Sequence, residues 1–173
     1  MTDETYEDYW PASDPASMNA YYGNPDKNKD GLPDRDWEAE NLVKLEPPYQ
    51  MEWSWGGEVK SIRIHKKCAD SLYSILEQIL EHYGSEEAVR KARMHLTGGA
   101  YNFRLMRGSA RSLSMHSWGS AIDLDPVNNG LGVKWKDNGK MMPMAVVEIF
   151  EAEGATWGGR WKRGDAMHFQ FCG

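Results

Sequence analysis

An α+β fold is expected, because strand and helix patterns occur in mixed order without regular β-α-β alternation. Three segments carry the expectation. In KKCADSLYSILEQILEHYG, residues 66–84, Ala69, Leu72, Ile75, Leu76, Ile79, Leu80 and Tyr83 recur three and four apart, as on one face of a helix. In SAIDLD, residues 120–125, Ile122 and Leu124 face one way and Ala121, Asp123 and Asp125 the other, as on a strand. In AMHFQF, residues 166–171, Met167, Phe169 and Phe171 face the core while His168 and Gln170 face the opposite side.

From the N-terminus, residues 1–50 show no sustained period and carry Pro11, Pro15, Pro25, Pro33, Pro47 and Pro48. They read as an extended arm packed on the domain through Trp10, Tyr21, Tyr22 and Trp37, with a short helix around Asp36–Leu42. Inside the arm, DKNKDGLPD sets Asp26, Asn28, Asp30 and Asp34 at positions 1, 3, 5 and 9 of a calcium loop, with Gly31 at position 6. Position 12, where a bidentate Glu belongs, is Trp37; Glu38 comes one residue late. The loop is therefore read as a weak or structural Ca²⁺ site, or as a solvated Asp/Asn/Gly turn.

Two strands follow around a Gly56-Gly57 turn. Gly84 ends the long helix, and Ser85 caps a shorter one in SEEAVRKAR, whose first turn is acidic. MHLTGGAYNF reads as a strand interrupted by Gly98-Gly99, and MPMAVVEIFEAEG as a helix ending at Gly154. Gly158 and Gly159 read as a turn, since no strand-to-helix context makes them a phosphate cradle. There are no internal repeats and no low-complexity tract.

The 173 residues suit one compact domain, with residues 51–173 as its main body. With 40% hydrophobic and 27% charged residues, the composition is that of a globular chain. No apolar run reaches the length of a membrane span, so no membrane partner is expected. A net charge of −6 argues against nucleic acid, which wants a basic surface. The acidic start MTDETYEDYW lacks the basic and apolar regions of a secretory signal. Cys68 and Cys172 read as two thiols in a reducing compartment, although a bridge between them stays open.

His116 precedes the SAIDLD strand and Asp123 lies on it, and Gly119 lets the chain turn between them. His168 lies on the polar side of the last strand. Two histidines and an aspartate give zinc three ligands and leave a fourth position for water, as a catalytic site needs. Gly164 suggests that this strand starts after Asp165, whose carboxylate can then serve as a base beside the metal. His65, His82 and His95 lack such company and read as structural or surface residues. Ser114 reads as a hydrogen-bonding support of the His116 loop, and Asp125 as a turn former or a support of the ligands. Trp118, Trp157 and Trp161 are either core or cleft walls.

SMHSWGSAIDLD followed by DAMHF resembles the S-x-H-x-x-G-x-A-x-D … D-x-x-H pattern of the VanY-type D-Ala-D-Ala carboxypeptidase and L-alanyl-D-glutamate endopeptidase family. GGAYNFRLMRGSARSLSMHSWG and WGGRWKRGDAMHFQF resemble its phage-type members, over about residues 57–172. The resemblance implies the Hedgehog/D-Ala-D-Ala peptidase fold, a small antiparallel sheet that carries the zinc and is backed by helices. It implies His116, Asp123 and His168 as Zn²⁺ ligands and Asp165 as general base. It also implies an arginine that polarises the scissile carbonyl: Arg104 fits best, Arg107 next, with Arg111 also in the stretch. The expected reaction is zinc-dependent hydrolysis of an amide in peptidoglycan stem peptides, by an endopeptidase rather than a carboxypeptidase. The alternative is a non-catalytic wall-binding or structural module of a phage-like particle. A monomer is expected, made in the cytoplasm and acting on the cell wall or periplasm after release, or as part of such a particle.

Overall fold

The computed structural model describes residues 10–173. The acidic start of the chain, residues 1–9, lies outside the described residues. In chain order the elements are α1 (Pro15–Tyr22), α2 (Arg35–Asn41), β1 (Leu42–Leu45), β2 (Met51–Trp53), β3 (Glu58–Val59), β4 (Ile62–His65), α3 (Lys66–Tyr83), α4 (Glu86–Lys91), β5 (Leu96–Gly99), β6 (Ala121–Leu124), α5 (Met144–Ala152), β7 (Thr156–Trp157) and β8 (His168–Gln170). Short 3₁₀ turns cover Met115–Trp118 and Gly158–Arg160. No helix among the described residues is long and apolar enough to cross a membrane.

The long helix α3 forms where its periodicity predicts. The imidazole of His65 accepts the Lys67 N–H at 3.1 Å and caps its start. Gly84, at φ 85°, ends it in the left-handed conformation that a residue with a Cβ resists. Its inner face buries Cys68, Leu72, Ile75, Leu76 and Ile79 completely. Each Leu or Ile so buried stabilises by roughly 1.5–3 kcal/mol. Ser85 caps α4 by accepting the Ala88 N–H at 3.1 Å, as expected.

The main sheet has six strands in the order β3-β2-β5-β6-β8-β7. The α+β class holds, but the sheet is not wholly antiparallel. β2 and β5 run parallel, with Trp53 opposite Thr97, because a crossover through α3 and α4 returns the chain to the same end of the sheet. β1 and β4 form a separate antiparallel ribbon. The β2–β3 hairpin turns at Gly56 and Gly57, as expected.

The extended arm needs correction. Residues 15–22 form an unexpected helix, whereas the short helix expected around Asp36–Leu42 is present at residues 35–41. Asp14 caps α1, its carboxylate accepting from the Ser17 N–H at 2.9 Å and the Ser17 hydroxyl at 2.7 Å. Pro15 stands at the first helical position, where its missing N–H costs nothing. The anchoring aromatics are the expected ones. The Tyr22 hydroxyl donates to Phe171 O at 2.6 Å, the Trp37 indole to Tyr22 O at 3.0 Å and the Trp10 indole to Glu153 O at 2.8 Å.

The Asp26–Asp34 loop folds as an Asp/Asn/Gly turn, and among the described residues its carboxylates are not grouped into a metal cluster. Asp26 accepts the N–H groups of Asp30 (3.2 Å) and Gly31 (3.3 Å), and Asp30 accepts that of Leu32 (3.0 Å). Asp34 accepts from the Lys27 N–H at 2.8 Å and from the Asn28 amide at 3.1 Å. Trp37, at the closing position, is buried, and Glu38 turns to Arg63 at 3.3 Å.

Cys68 and Cys172 are both free and buried, and burial pushes each thiol up to about 12.

Candidate metal centre

The central strands bring the predicted ligands together. β6 and β8 are antiparallel neighbours, with Asp123 directly opposite His168 and Ala121 opposite Gln170. Directly opposed residues share a face, so the Asp123 carboxylate and the His168 ring meet on one side of the sheet. On the other side of β6, the β5 register shifts between Thr97 and Gly99. A Cβ at Gly98 would press on Asp123 Cβ at 3.3 Å, so this glycine-marked bulge leaves the carboxylate its room.

His116 comes from the 3₁₀ turn before β6. Ser114 caps that turn by accepting the His116 N–H at 3.3 Å, the supporting role expected of it. Gly119 ends the turn at φ 66°, and a Cβ there would stand 2.8 Å from His65 N. Only glycine allows that approach.

His116 Nε2 lies 3.3 Å from Asp123 Oδ2, and His168 Nδ1 lies 3.3 Å from Asp123 Oδ1. One ligand atom from each residue falls within 4.8 Å of the others. The two histidines are 3% and 6% exposed. Their remaining nitrogens face outward onto acceptors: His116 Nδ1 meets Ala100 O at 2.6 Å, and His168 Nε2 meets Gln170 Oε1 at 2.9 Å. The Ala100 carbonyl accepts only, so His116 carries its proton on Nδ1 and its inward lone pair is Nε2. His168 has an acceptor at each nitrogen, Gln170 Oε1 outside and Asp123 Oδ1 inside, and with its proton held by Gln170 its inward lone pair is Nδ1. His116 Nε2 is buried without a hydrogen-bond partner. Such an orphan is costly unless an ion takes it, and two imidazole nitrogens plus a carboxylate suit zinc.

The electrostatics agree. Burial opposes ionisation of Asp123, but His116 and His168 outweigh it and hold the carboxyl well below its usual range. Burial opposes a charge on His168 too, but Asp123 outweighs it and raises its proton affinity. A proton and a metal ion therefore compete for the same inward lone pair.

Asp165 lies in the segment leading into β8. Its N–H donates to Gly158 O at 2.9 Å, and its own carbonyl accepts the His168 N–H at 3.1 Å. A Cβ at Gly158 would sit 2.5 Å from Asp165 O, so the turn there must be glycine. Asp165 Oδ1 is buried without a partner, and burial raises the carboxyl above its usual range. Asp123, Asp165 and His168 line one cavity of about 280 Å³, together with Ser114 and Gln170.

The arginines separate by how they are held. The Arg104 N–H donates to Ser117 Oγ at 3.1 Å, and its carbonyl accepts from Ser117 Oγ at 2.9 Å and from the Ser114 N–H at 2.9 Å. Arg104 is thus pinned to the turn that carries His116, and its charge acts on Asp165. Arg107 also lines the cavity, from an exposed turn, whereas Arg111 does not line it.

Several expectations change here. Asp125 does not support the ligands. Its carboxylate is gripped by Arg93 through two contacts of 3.0 Å, because φ 43° breaks the strand alternation after Leu124. Met167 lines the cavity instead of filling the core. Of the three tryptophans only Trp161 lines the cavity; Trp118 and Trp157 are buried and hydrogen-bonded to Asn19 and to Ala166 O. His65 is structural as expected, with burial pushing it down to about 4.

Sequence reasoning missed Ala100, Arg163 and the role of Gln170. A backbone carbonyl leaves no residue-type signal, and Arg163 reads as one more surface charge. Gln170 was placed on the polar face, and its spacing from His168 held the clue.

Residues 107–171 match the D-alanyl-D-alanine carboxypeptidase family. No curated protein and no solved structure matches the chain. The matched stretch holds all three candidate ligands and Asp165, and Arg104 lies just before it. The segment 107–171 is therefore similar to the D-alanyl-D-alanine carboxypeptidase family, with His116, Asp123 and His168 as its candidate metal site.

Proposed function

We propose that the protein is a zinc peptidase that hydrolyses an amide bond in peptidoglycan stem peptides, as an endopeptidase rather than a carboxypeptidase. The observation that carries the reading is the inward convergence of His116 Nε2, His168 Nδ1 and the Asp123 carboxylate, with the outward ring nitrogens both hydrogen-bonded. The endopeptidase preference is supported by the resemblance of residues 98–119 and 157–171 to phage-type members of the family.

His116, Asp123 and His168 would hold the zinc, which would supply the Lewis acidity that acidifies water for attack on the amide carbon. Asp165 accepts the water's proton and then delivers it to the departing amine. Its desolvated, unpartnered oxygen and its raised proton affinity suit both halves of that task. Arg104 stabilises the negative charge that develops on the carbonyl oxygen. Arg104 is preferred to Arg107 because its backbone is fixed to the His116 turn. The place of action that fits this chemistry is the cell wall, reached after release or as part of a phage-like particle.

The test is digestion of purified peptidoglycan by the protein with added zinc and with chelator, read by mass spectrometry of the released fragments. Chelator-sensitive cleavage is expected, and the fragment masses name the bond. Protein shown to hold zinc that releases nothing would replace this reading with a binding module.

A further inference from the structure

We propose that Arg163 and Arg107 form a carboxylate-binding site at the rim of the cavity, and that it selects substrates with a free carboxylate on the residue that supplies the leaving amine. This rests on the peptidase reading above.

The chain has nine arginines and a net charge of −6. Arg63, Arg90, Arg93 and Arg160 each lie against a carboxylate: Glu38, Glu52, Asp125 and Glu151. Among the described residues the other five have no carboxylate within 4.0 Å; Arg35 and Arg111 lie away from the cavity beside Asp165, and Arg104, Arg107 and Arg163 all line it. Acids are abundant in this chain, so three unneutralised guanidinium groups around one cavity mark a place for an external anion.

Arg104 is accounted for by the reacting carbonyl. Arg107 and Arg163 remain, both exposed, on two different loops. Arg163 Nη1 donates to the Arg107 carbonyl at 3.5 Å, so the Arg163 side chain reaches the loop that carries Arg107. Gly108, at φ 84°, turns the facing loop in the left-handed conformation and lies beside Arg163 Nη1. The other donors of the Arg163 fork stay free, and a guanidinium fork matches the two oxygens of a carboxylate.

Position selects which carboxylate. Arg163 precedes Asp165 by two residues, and Asp165 delivers the proton to the leaving amine. The group bound at Arg163 therefore belongs to the residue that carries that amine. Two stem-peptide bonds meet this condition. In L-Ala-D-Glu the D-Glu keeps its α-carboxylate free, and in D-Ala-D-Ala the last residue carries the C-terminal carboxylate. A cross-bridge amide to a lysine side-chain amine lacks a carboxylate in that position and is disfavoured.

The test uses three synthetic stem pentapeptides with zinc-loaded protein: the parent, one with the D-Glu α-carboxylate amidated and one with the terminal D-Ala carboxylate amidated. A charge-assisted hydrogen bond contributes about 1.5–3 kcal/mol, or roughly 10–100-fold. One amidation is expected to lower kcat/KM by about that factor, mainly through KM. Which one it is names the source of the carboxylate. In Arg163→Gln the ratio of parent to amidated peptide is expected to fall to within about twofold, and Arg163→Lys to keep part of it, since lysine retains the charge without the fork. No effect of either amidation, or a ratio unchanged in Arg163→Gln, would overturn the site. If no peptide is cut, the peptidase reading fails by itself. Calorimetric binding of the same peptides then decides the site: a carboxylate preference lost in Arg163→Gln upholds it, and no preference overturns it.

Discussion

The Asp26–Asp34 loop and the β6–β8 strand pair both set carboxylates at metal-ligand spacing, and they use them in opposite ways. In the loop, Asp26, Asp30 and Asp34 turn their oxygens onto the loop's own amides. In the strand pair, Ala100 and Gln170 hold the outer atoms of the histidines, and the inner atom of His116 has no hydrogen-bond partner. The first arrangement satisfies itself as a turn. The second is complete only with something else bound. Residue types and spacing suggest a metal site, and a donor atom left without a partner within the cluster supports one.

The largest expected effect is at the shared ligand. Asp123→Ala should abolish both zinc binding and turnover, measured by metal analysis of the purified protein and by fragment release. Asp26→Ala should leave zinc content unchanged. If the two variants lost zinc equally, the contrast between the regions would break.

Next comes the outer support. Gln170→Ala removes the acceptor that orients His168, and should weaken zinc by about 10–100-fold in a competition titration. An unchanged affinity would show that the strand alone sets the ring.

A pH effect sharpens the same point. Asp165 must be ionised to accept a proton, and burial raises its pKa. Turnover should therefore rise with pH through a value above the ordinary aspartate range and be lost below it. The profile of kcat/KM in fully zinc-loaded protein checks this. An acidic limb at the ordinary aspartate value would remove the case for Asp165 as the titrating base.

The smallest effect is in the arm. Millimolar calcium should leave the melting temperature unchanged, because the Asp26–Asp34 oxygens already hold amides. A rise of several degrees would revive a calcium site there. Removing the α1 cap with Asp14→Ala should cost about 0.5–2 kcal/mol, read from denaturant unfolding.

The legible parts of the molecule were those where one period governs neighbouring residues. α3 followed from its apolar face, and β6 and β8 from alternation, which also put Asp123 and His168 on facing sides. Reading failed where one backbone angle or a distant partner decided the outcome. Asp125 left the Asp123 face because of its φ of 43°. Pro15 suggested a break in the chain, but with Asp14 before it, it starts a helix. The parallel β2–β5 pairing joins segments some forty residues apart, which no local pattern encodes. The rim arginines carry no signal until the fold sets Arg107 and Arg163 around one cavity.

The central claim is that the His-Asp-His cluster holds zinc for a reaction that Asp165 completes. The most direct measurement is zinc content and peptidoglycan cleavage determined together on wild type and Asp165→Ala. The account predicts one zinc per chain in both and cleavage in the wild type alone. Undiminished cleavage by Asp165→Ala, or wild type that binds no zinc, would contradict it.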